Sequence, residues 1–205
     1  TLDFSSLTNV KTIGDDFLFN CNKLTSVNLA NLTLVEKIGK MFLGNCTSLE
    51  AIDLSSWTNL VEIGSGFLSN CEKMLSANLP NGGNITTIGD DFMKDCKSLP
   101  NLDLTSIFKN ITKIPSNFLS GCANLKTFCM SGLEDVTSVG ANFLSGCTNL
   151  KDVDISGWTN ASEIQDGFLS GFTGSLNMAD WTSMTTLDNV KFPDNLGSLN
   201  LSGWP

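Results

Sequence analysis

Phenylalanine recurs at positions 17, 42, 67, 92, 118, 143 and 168, in steps of 25 with a single step of 26. A cysteine follows four residues later each time but the last: Cys21, Cys46, Cys71, Cys96, Cys122 and Cys147, then Phe172. Ahead of each Phe stands an Ile-Gly-like pair: Ile13-Gly14, Ile38-Gly39, Ile63-Gly64, Ile88-Gly89, Ile114-Pro115, Val139-Gly140 and Ile164-Gln165. Behind each Cys runs a strand-like stretch such as Leu24-Thr25-Ser26-Val27-Asn28-Leu29. Its equivalents end in Ile52-Asp53-Leu54, Ala77-Asn78-Leu79, Leu102-Asp103-Leu104, Phe128-Cys129-Met130 and Val153-Asp154-Ile155. Two shorter units of 23 close the chain with Leu176-Asn177-Met178 and Leu199-Asn200-Leu201, and Leu2-Asp3-Phe4 is the same element at the start. A fixed period of this size, held over the full length, marks a stack of like units rather than an ordinary globule.

The unit implies its own architecture. Alternate strand residues face opposite sides, so Val27 and Leu29 turn inward while Ser26 and Asn28 turn outward. The Phe-Leu-x-x-Cys stretch is too short for a stable isolated helix and is expected to form one or two helical turns on the opposite wall. One unit cannot bury both walls, and stacking its neighbours closes a common core. The expectation is a leucine-rich-repeat solenoid with a parallel β-ladder on one face and short helical turns on the other. It forms a single domain over 1–205, of about eight coils, with a period of 25 and the last two of 23.

The full pattern, Ile-Gly-x-x-Phe-x-x-x-Cys-x-x-Leu-x-x-Val-x-Leu, resembles the BspA-like, or Treponema pallidum-type, leucine-rich repeats over residues 2–204. Such repeats usually run shorter and carry a Pro just after the strand. Here only Leu79-Pro80 keeps that Pro, and most units are two residues longer. The resemblance implies surface-exposed or secreted proteins, often linked to adhesion, with no enzymatic activity and no fixed binding residues.

Composition narrows function further. The net charge is −9, from 12 Lys, no Arg and 21 acidic residues. Such a field repels phosphates, which argues against a nucleic-acid partner and against an anionic membrane surface. With no His or Tyr, the chain lacks a near-neutral general base, an imidazole metal ligand and any Ser-His-Asp or Cys-His site. No apolar run approaches the length of a membrane span. Neither catalytic residues, a cofactor nor a metal is expected.

The columns of the repeat are the candidate sites. Six of seven cysteines share one position and are expected to be buried free thiols acting as small apolar residues. Cys129 departs from them, taking the outward strand position held elsewhere by Asp or Asn, so its thiol is expected to face solvent. That outward column reads Asp3, Asn28, Asp53, Asn78, Asp103, Cys129, Asp154, Asn177, Asn200. Alternating acid with amide keeps carboxylates off adjacent rungs, where they would repel. The column is therefore read first as a hydrogen-bonded ladder stabilising the sheet, and second as an acidic strip for a ligand. Its companion column is small: Thr1, Ser26, Ala51, Ser76, Asn101, Thr127, Asp152, Ser175, Ser198. Asp103, Asp152 and Asp154 gather near Cys129, yet no glycine-turned loop of a dedicated calcium site accompanies them. Trp57, Trp158, Trp181 and Trp204 share a position with Leu7, Leu32, Ile107 and Leu133, which reads as core. Six Asn-x-Ser/Thr sequons occur, at Asn31, Asn45, Asn84, Asn110, Asn160 and Asn200.

The functional expectation is an extracellular or cell-surface interaction module binding a protein or glycan. The candidate face comprises Asp53, Asn78, Asn101, Asp103, Cys129, Asp152, Asp154 and Asn177. Neither end shows a polar cap, so an excerpt of a longer protein and head-to-tail self-association into filaments are both open at this point.

Overall fold

The structure is a computed structural model, and it describes all residues except 1, 3, 5, 82, 83, 106 and 186–189. Thr1 and Asp3 of the outward columns thus lie outside the described residues. The chain winds as a parallel β-solenoid. Its front ladder is built from three-residue strands: Ala51–Asp53, Ser76–Asn78, Asn101–Asp103, Thr127–Cys129, Asp152–Asp154, Ser175–Asn177 and Ser198–Asn200. All pairs are parallel and hold one register, for example Asp103↔Cys129↔Asp154. The central residue of each strand is inward and its two neighbours outward, as the alternation requires.

A second parallel ladder, which the sequence reading did not anticipate, is made by the residue pairs that precede the glycines. Thr12–Ile13, Lys37–Ile38, Glu62–Ile63 and Thr87–Ile88 form one run, and Lys113–Ile114, Ser138–Val139 and Glu163–Ile164 another. The following residue extends each pairing: Gly39 N–H donates to the Ile13 carbonyl at 2.8 Å, and Gly64 to Ile38 at 2.9 Å. Glycine is needed here because coils approach closely, and a Cβ on Gly64 would lie 2.5 Å from the carbonyl carbon and oxygen of Gly39.

The opposite wall corrects the expectation of helical turns. The structure contains no helix among the described residues. In seven successive coils the residues before and after the Phe, and the residue two further on, have positive φ. In the first coil these are Asp16 (59°), Leu18 (55°) and Asn20 (61°), and the same three positions repeat in seven coils down to Gly167, Leu169 and Gly171. Alternation of left- and right-handed residues points successive amides sideways, toward neighbouring coils, instead of along a helix axis. Asn45 N–H donates forward to the Ser69 carbonyl (2.8 Å), while Leu43 N–H donates back to Phe17 (2.8 Å). A third inter-coil ladder results. Its first and third positions carry only Asn, Asp or Gly apart from Met41, the residues that tolerate left-handed backbone best. Seven coils carry this segment where about eight were expected. The last 23-residue unit lacks the Phe-x-x-x-Cys pattern.

Between the walls lies a single core. Phe17, Phe42, Phe67, Phe92, Phe118, Phe143 and Phe168 stack with centroids 4.9–6.0 Å apart and planes within 22°. Trp57 and Trp158 meet that column edge-on. Offset stacks at these separations add to the area each ring buries.

Candidate functional site

The Phe, Cys and Trp columns are interior. Trp57, Trp158 and Trp181 are fully buried, and each indole N–H donates to a carbonyl of the preceding coil: Leu29 (3.1 Å), Met130 (2.7 Å) and Ile155 (3.2 Å). Trp204 repeats the bond to Met178 while half-buried. All seven cysteines are free. Each thiol from Cys46 onward in the column donates to the carbonyl of a left-handed residue one coil back: Cys46 to Leu18 (3.1 Å), Cys71 to Leu43 and Cys96 to Leu68 (both 3.3 Å), and Cys122 to Met93 and Cys147 to Leu119 (both 3.2 Å). Burial raises the pKa of these thiols, Cys46 to about 11 and Cys71 and Cys147 to about 12. They are protonated donors that tie the turn wall together.

The outward column of the front ladder is exposed, and its dominant bonds run within the coil. Asp53, Asp103 and Asp154 each accept the backbone N–H two residues on, from Ser55 (3.0 Å), Thr105 (3.0 Å) and Ser156 (3.1 Å). Asn28, Asn177 and Asn200 do the same with Ala30, Ala179 and Ser202. These are Asx turns, and rung-to-rung bonds of the kind expected accompany them at Asp53–Asn78 and Cys129–Asp154. Asn78 stands apart because the residue two on is Pro80, which has no N–H. The same bonds hold the carboxylates ionised. The Ser55 hydroxyl and amide lower the Asp53 pKa, the Thr105 amide and hydroxyl lower Asp103, and the Ser156 hydroxyl lowers Asp154.

The strand register brings the eight candidate residues to one face but in separate groups. Asn101, Asp103, Cys129, Asp152 and Asp154 share three paired strands, with Thr127 Oγ1 donating to Asn101 at 3.0 Å. Asp53 and Asn78 form their own rung pair, and Asn177 sits on the strand pair nearest the C-terminal end. Cys129 is more enclosed than expected. It is half-buried, with Sγ 3.1 Å from Thr105 Oγ1 and donating to Asp154 Oδ2 at 3.6 Å. No two carboxylates of the outward column occupy directly paired rungs among the described strands. Among the described residues, no group of three or more Cys, Asp or Glu side chains converges to hold a metal ion. A recess of about 420 Å³ was not foreseen from the sequence. It lies on the second ladder, where Ile88, Asp90, Lys113, Pro115, Ser116 and Glu163 line it. Pro115 was the available signal, because it breaks the Gly column there.

Residues 2–126 and 82–197 match the BspA type leucine rich repeat region, in six copies. The chain belongs to the BspA-type leucine-rich-repeat family. No curated protein matches it in sequence. Among solved structures it is similar to a Treponema pallidum leucine-rich-repeat protein, at 18% identity and TM-score 0.44, over 67% of this chain and 70% of that one. A Bacteroides ovatus leucine-rich-repeat protein aligns at 16% identity and TM-score 0.41, over 92% and 78%. A leucine-rich cell-surface protein of Faecalibacterium prausnitzii aligns at 16% and 0.30, over 93% and 76%. Among the described residues, no helix is long and apolar enough to cross a membrane.

Proposed function

We propose that this BspA-type chain is a non-catalytic recognition module, working outside the cell or at its surface, that takes a protein partner on the outward columns of the front ladder. A glycan is the second class of ligand for the same face. The observation that carries the reading is the division of the repeat. Its aromatic and thiol columns are consumed by the interior, whereas Asp53, Asn78, Asn101, Asp103, Asp152, Asp154 and Asn177 are all exposed on the strand face. The Asx turns keep Asp53, Asp103 and Asp154 ionised and fixed in direction. A rigid, acidic, small-residue strip suits a partner with a basic surface, and electrostatic complementarity sets its on-rate and salt dependence.

The test is a panel of purified surface proteins and glycans, probed with the native chain and with a D103N/D152N/D154N variant. Asn retains the oxygen that accepts the turn amide, so the strand ends stay intact. The expected result is salt-sensitive binding of a native-chain ligand that weakens at least tenfold in the variant. Equal binding by native chain and variant, together with no effect of Thr127→Arg or Ser175→Arg, would move the site off this face.

A further inference from the structure

One inter-coil joint interrupts both strand ladders at once, whereas the front ladder's other break, between Asp152–Asp154 and Ser175–Asn177, involves that ladder. At regular joints the residue before the front strand donates back one coil: Glu50 to Thr25, Leu75 to Glu50, Lys126 to Pro100, Lys151 to Lys126. The equivalent residue between Leu75 and Lys126 is Pro100, which has no N–H for the Leu75 carbonyl. The second ladder loses its bond at the same joint. Gly39, Gly64, Gly89, Gly140 and Gln165 each donate to the preceding Ile or Val, and the missing member is Pro115, opposite Ile88. Both strand ladders accordingly divide here, between Ser76–Asn78 and Asn101–Asp103 in front and between Thr87–Ile88 and Lys113–Ile114 in the second.

Further departures fall at this same junction. Pro80 follows the strand on one side, and the single 26-residue unit lies on the other. Two amides that donate at other joints have no counterpart bond here. Leu54 donates to Asn78 and Leu104 to Cys129, and Thr86 donates to Val61 and Thr137 to Thr112, but neither Leu79 nor Thr112 has a partner of this kind. The turn wall, in contrast, crosses the joint intact. Asp91 donates to Ser116 (2.9 Å), Asp95 to Ser120 (2.7 Å) and Leu119 back to Phe92 (2.9 Å), and the Asn117 amide reaches Asp91 Oδ1 at 2.8 Å. Phe92 and Phe118 stack at 4.9 Å, the shortest centroid distance in the column.

We propose that the solenoid bends at this joint, with the turn wall and the Phe92–Phe118 stack as hinge and the two strand ladders as the side that opens. Both ladders lose backbone rungs here while the turn wall keeps its own. Ser98 N–H to the Glu72 carbonyl (3.1 Å), the Lys97–Glu72 ion pair (2.7 Å) and Ser116 N–H to Asp90 Oδ1 (2.8 Å) still cross the joint, so its softest direction opens the ladder side. The second-ladder recess lined by Ile88 and Asp90 on one side and Lys113, Pro115 and Ser116 on the other spans the joint, so bending changes its width. This inference is independent of what the front face binds.

Two measurements on the whole chain test it. Amide hydrogen exchange compares Leu79 and Thr112 with their equivalents Leu54 and Thr137. The two joint amides are expected to exchange at least tenfold faster, and equal protection would overturn the proposal. Electron-electron resonance between spin labels at Lys37→Cys and Glu163→Cys, with Cys21 and Cys129 replaced by Ser, reads the bend directly. The native distance distribution is expected to be broad, and to narrow in a P100K/P115G variant that returns both donors to the ladders. A narrow native distribution, unchanged in that variant, would show a straight, stiff rod. If the variant does not fold, the native distance distribution still decides, because a narrow one overturns the bend.

Discussion

The strand walls and the turn wall share one task, holding each coil on the next, and they tolerate interruption very differently. The front ladder is divided into runs of two, three and two strands and the second into runs of four and three. The turn ladder passes every junction from Asp16 to Gly171, including the joint where Pro100 and Pro115 remove donors. The contrast follows from backbone geometry. A strand residue contributes one donor toward a given neighbour, so one proline severs a rung. The turn segment sends its first and third amides forward and its second back, and adds a thiol bond and an amide side-chain bond such as Asn70 to Asn45 (2.7 Å). That redundancy comes with backbone cost. A left-handed conformation costs an ordinary residue about 1 kcal/mol or more, and leucine or methionine bears it at the middle position of all seven segments.

If stacking distance rather than bond count limits the strand walls, Gly64→Val should be the most damaging single change. Its Cβ meets the Gly39 backbone at 2.5 Å, and no side-chain rotation relieves a backbone clash. A loss of more than about 3 kcal/mol is expected by chemical denaturation. Gly14→Ala is the control, since nothing lies within 4 Å of its Cβ, and it should be near neutral. Equal costs for the two would remove close approach as the reason for the Gly column.

The turn wall is probed next by Asn142→Val. The position has φ 58° and its amide donates to Asn117 Oδ1 at 2.9 Å. A β-branched residue there should cost about 1–2 kcal/mol, and Asn142→Gly clearly less, because glycine keeps the backbone conformation. Thr127→Val on the front face, an outward strand position, should change stability by no more than about 0.5 kcal/mol. Comparable melting shifts for Asn142→Val and Asn142→Gly would locate the loss in the side-chain bond and not in the left-handed backbone.

The fold was legible because burial leaves a one-dimensional trace. Phe17 to Phe168, Cys21 to Cys147 and Trp57 to Trp204 each mark an inward column, and the alternation around Val27 marks the front strand. Backbone conformation leaves a fainter trace. Leu18 and its equivalents look like ordinary core leucines, and only the Asp16 and Asn20 columns, two residues to either side, hint at left-handed backbone. The second ladder is built from pairs such as Lys37–Ile38, too short to show a period of two. The Asx turns did have a signal, a Ser or Thr two residues after Asp53, Asp103 and Asp154. The alternation of acid and amide down the column is equally consistent with bonds between neighbouring rungs, so the two arrangements share one sequence pattern. Of the candidate site, the face was readable and its grouping was not, since grouping depends on where the ladders break.

The pH response separates the two walls again. On the front face, the folded pKa of Asp53, Asp103 and Asp154 lies below the unfolded value, chiefly through bonds from Ser55, Thr105 and Ser156. Their contribution is present above the unfolded carboxylate pKa of about 3.9 and is lost as pH falls through the folded value. The effect is small because all three are exposed. A D53N/D103N/D154N variant should show a shallower loss of melting temperature between about pH 4 and pH 2. An identical acid limb in native chain and variant would assign acid sensitivity to other carboxylates.

The thiols give the smallest effect at neutral pH and the most specific one. Burial raises the folded pKa of Cys46 to about 11 and of Cys71 and Cys147 to about 12, and moves Cys96 and Cys122 upward as well. A raised folded value means that stability is fully present below the unfolded thiol pKa, about 8.5, and is lost as pH rises toward the folded value. Thiolate is the reactive form, so these five should resist a disulfide reagent at pH 8, while Cys21 and Cys129, both half-buried, react. Two fast thiols out of seven are expected, with the remainder appearing at the rate of unfolding. Five or more fast thiols in the native chain would mean that the turn wall opens locally, and would reverse the order of rigidity assigned to the two sides of the coil.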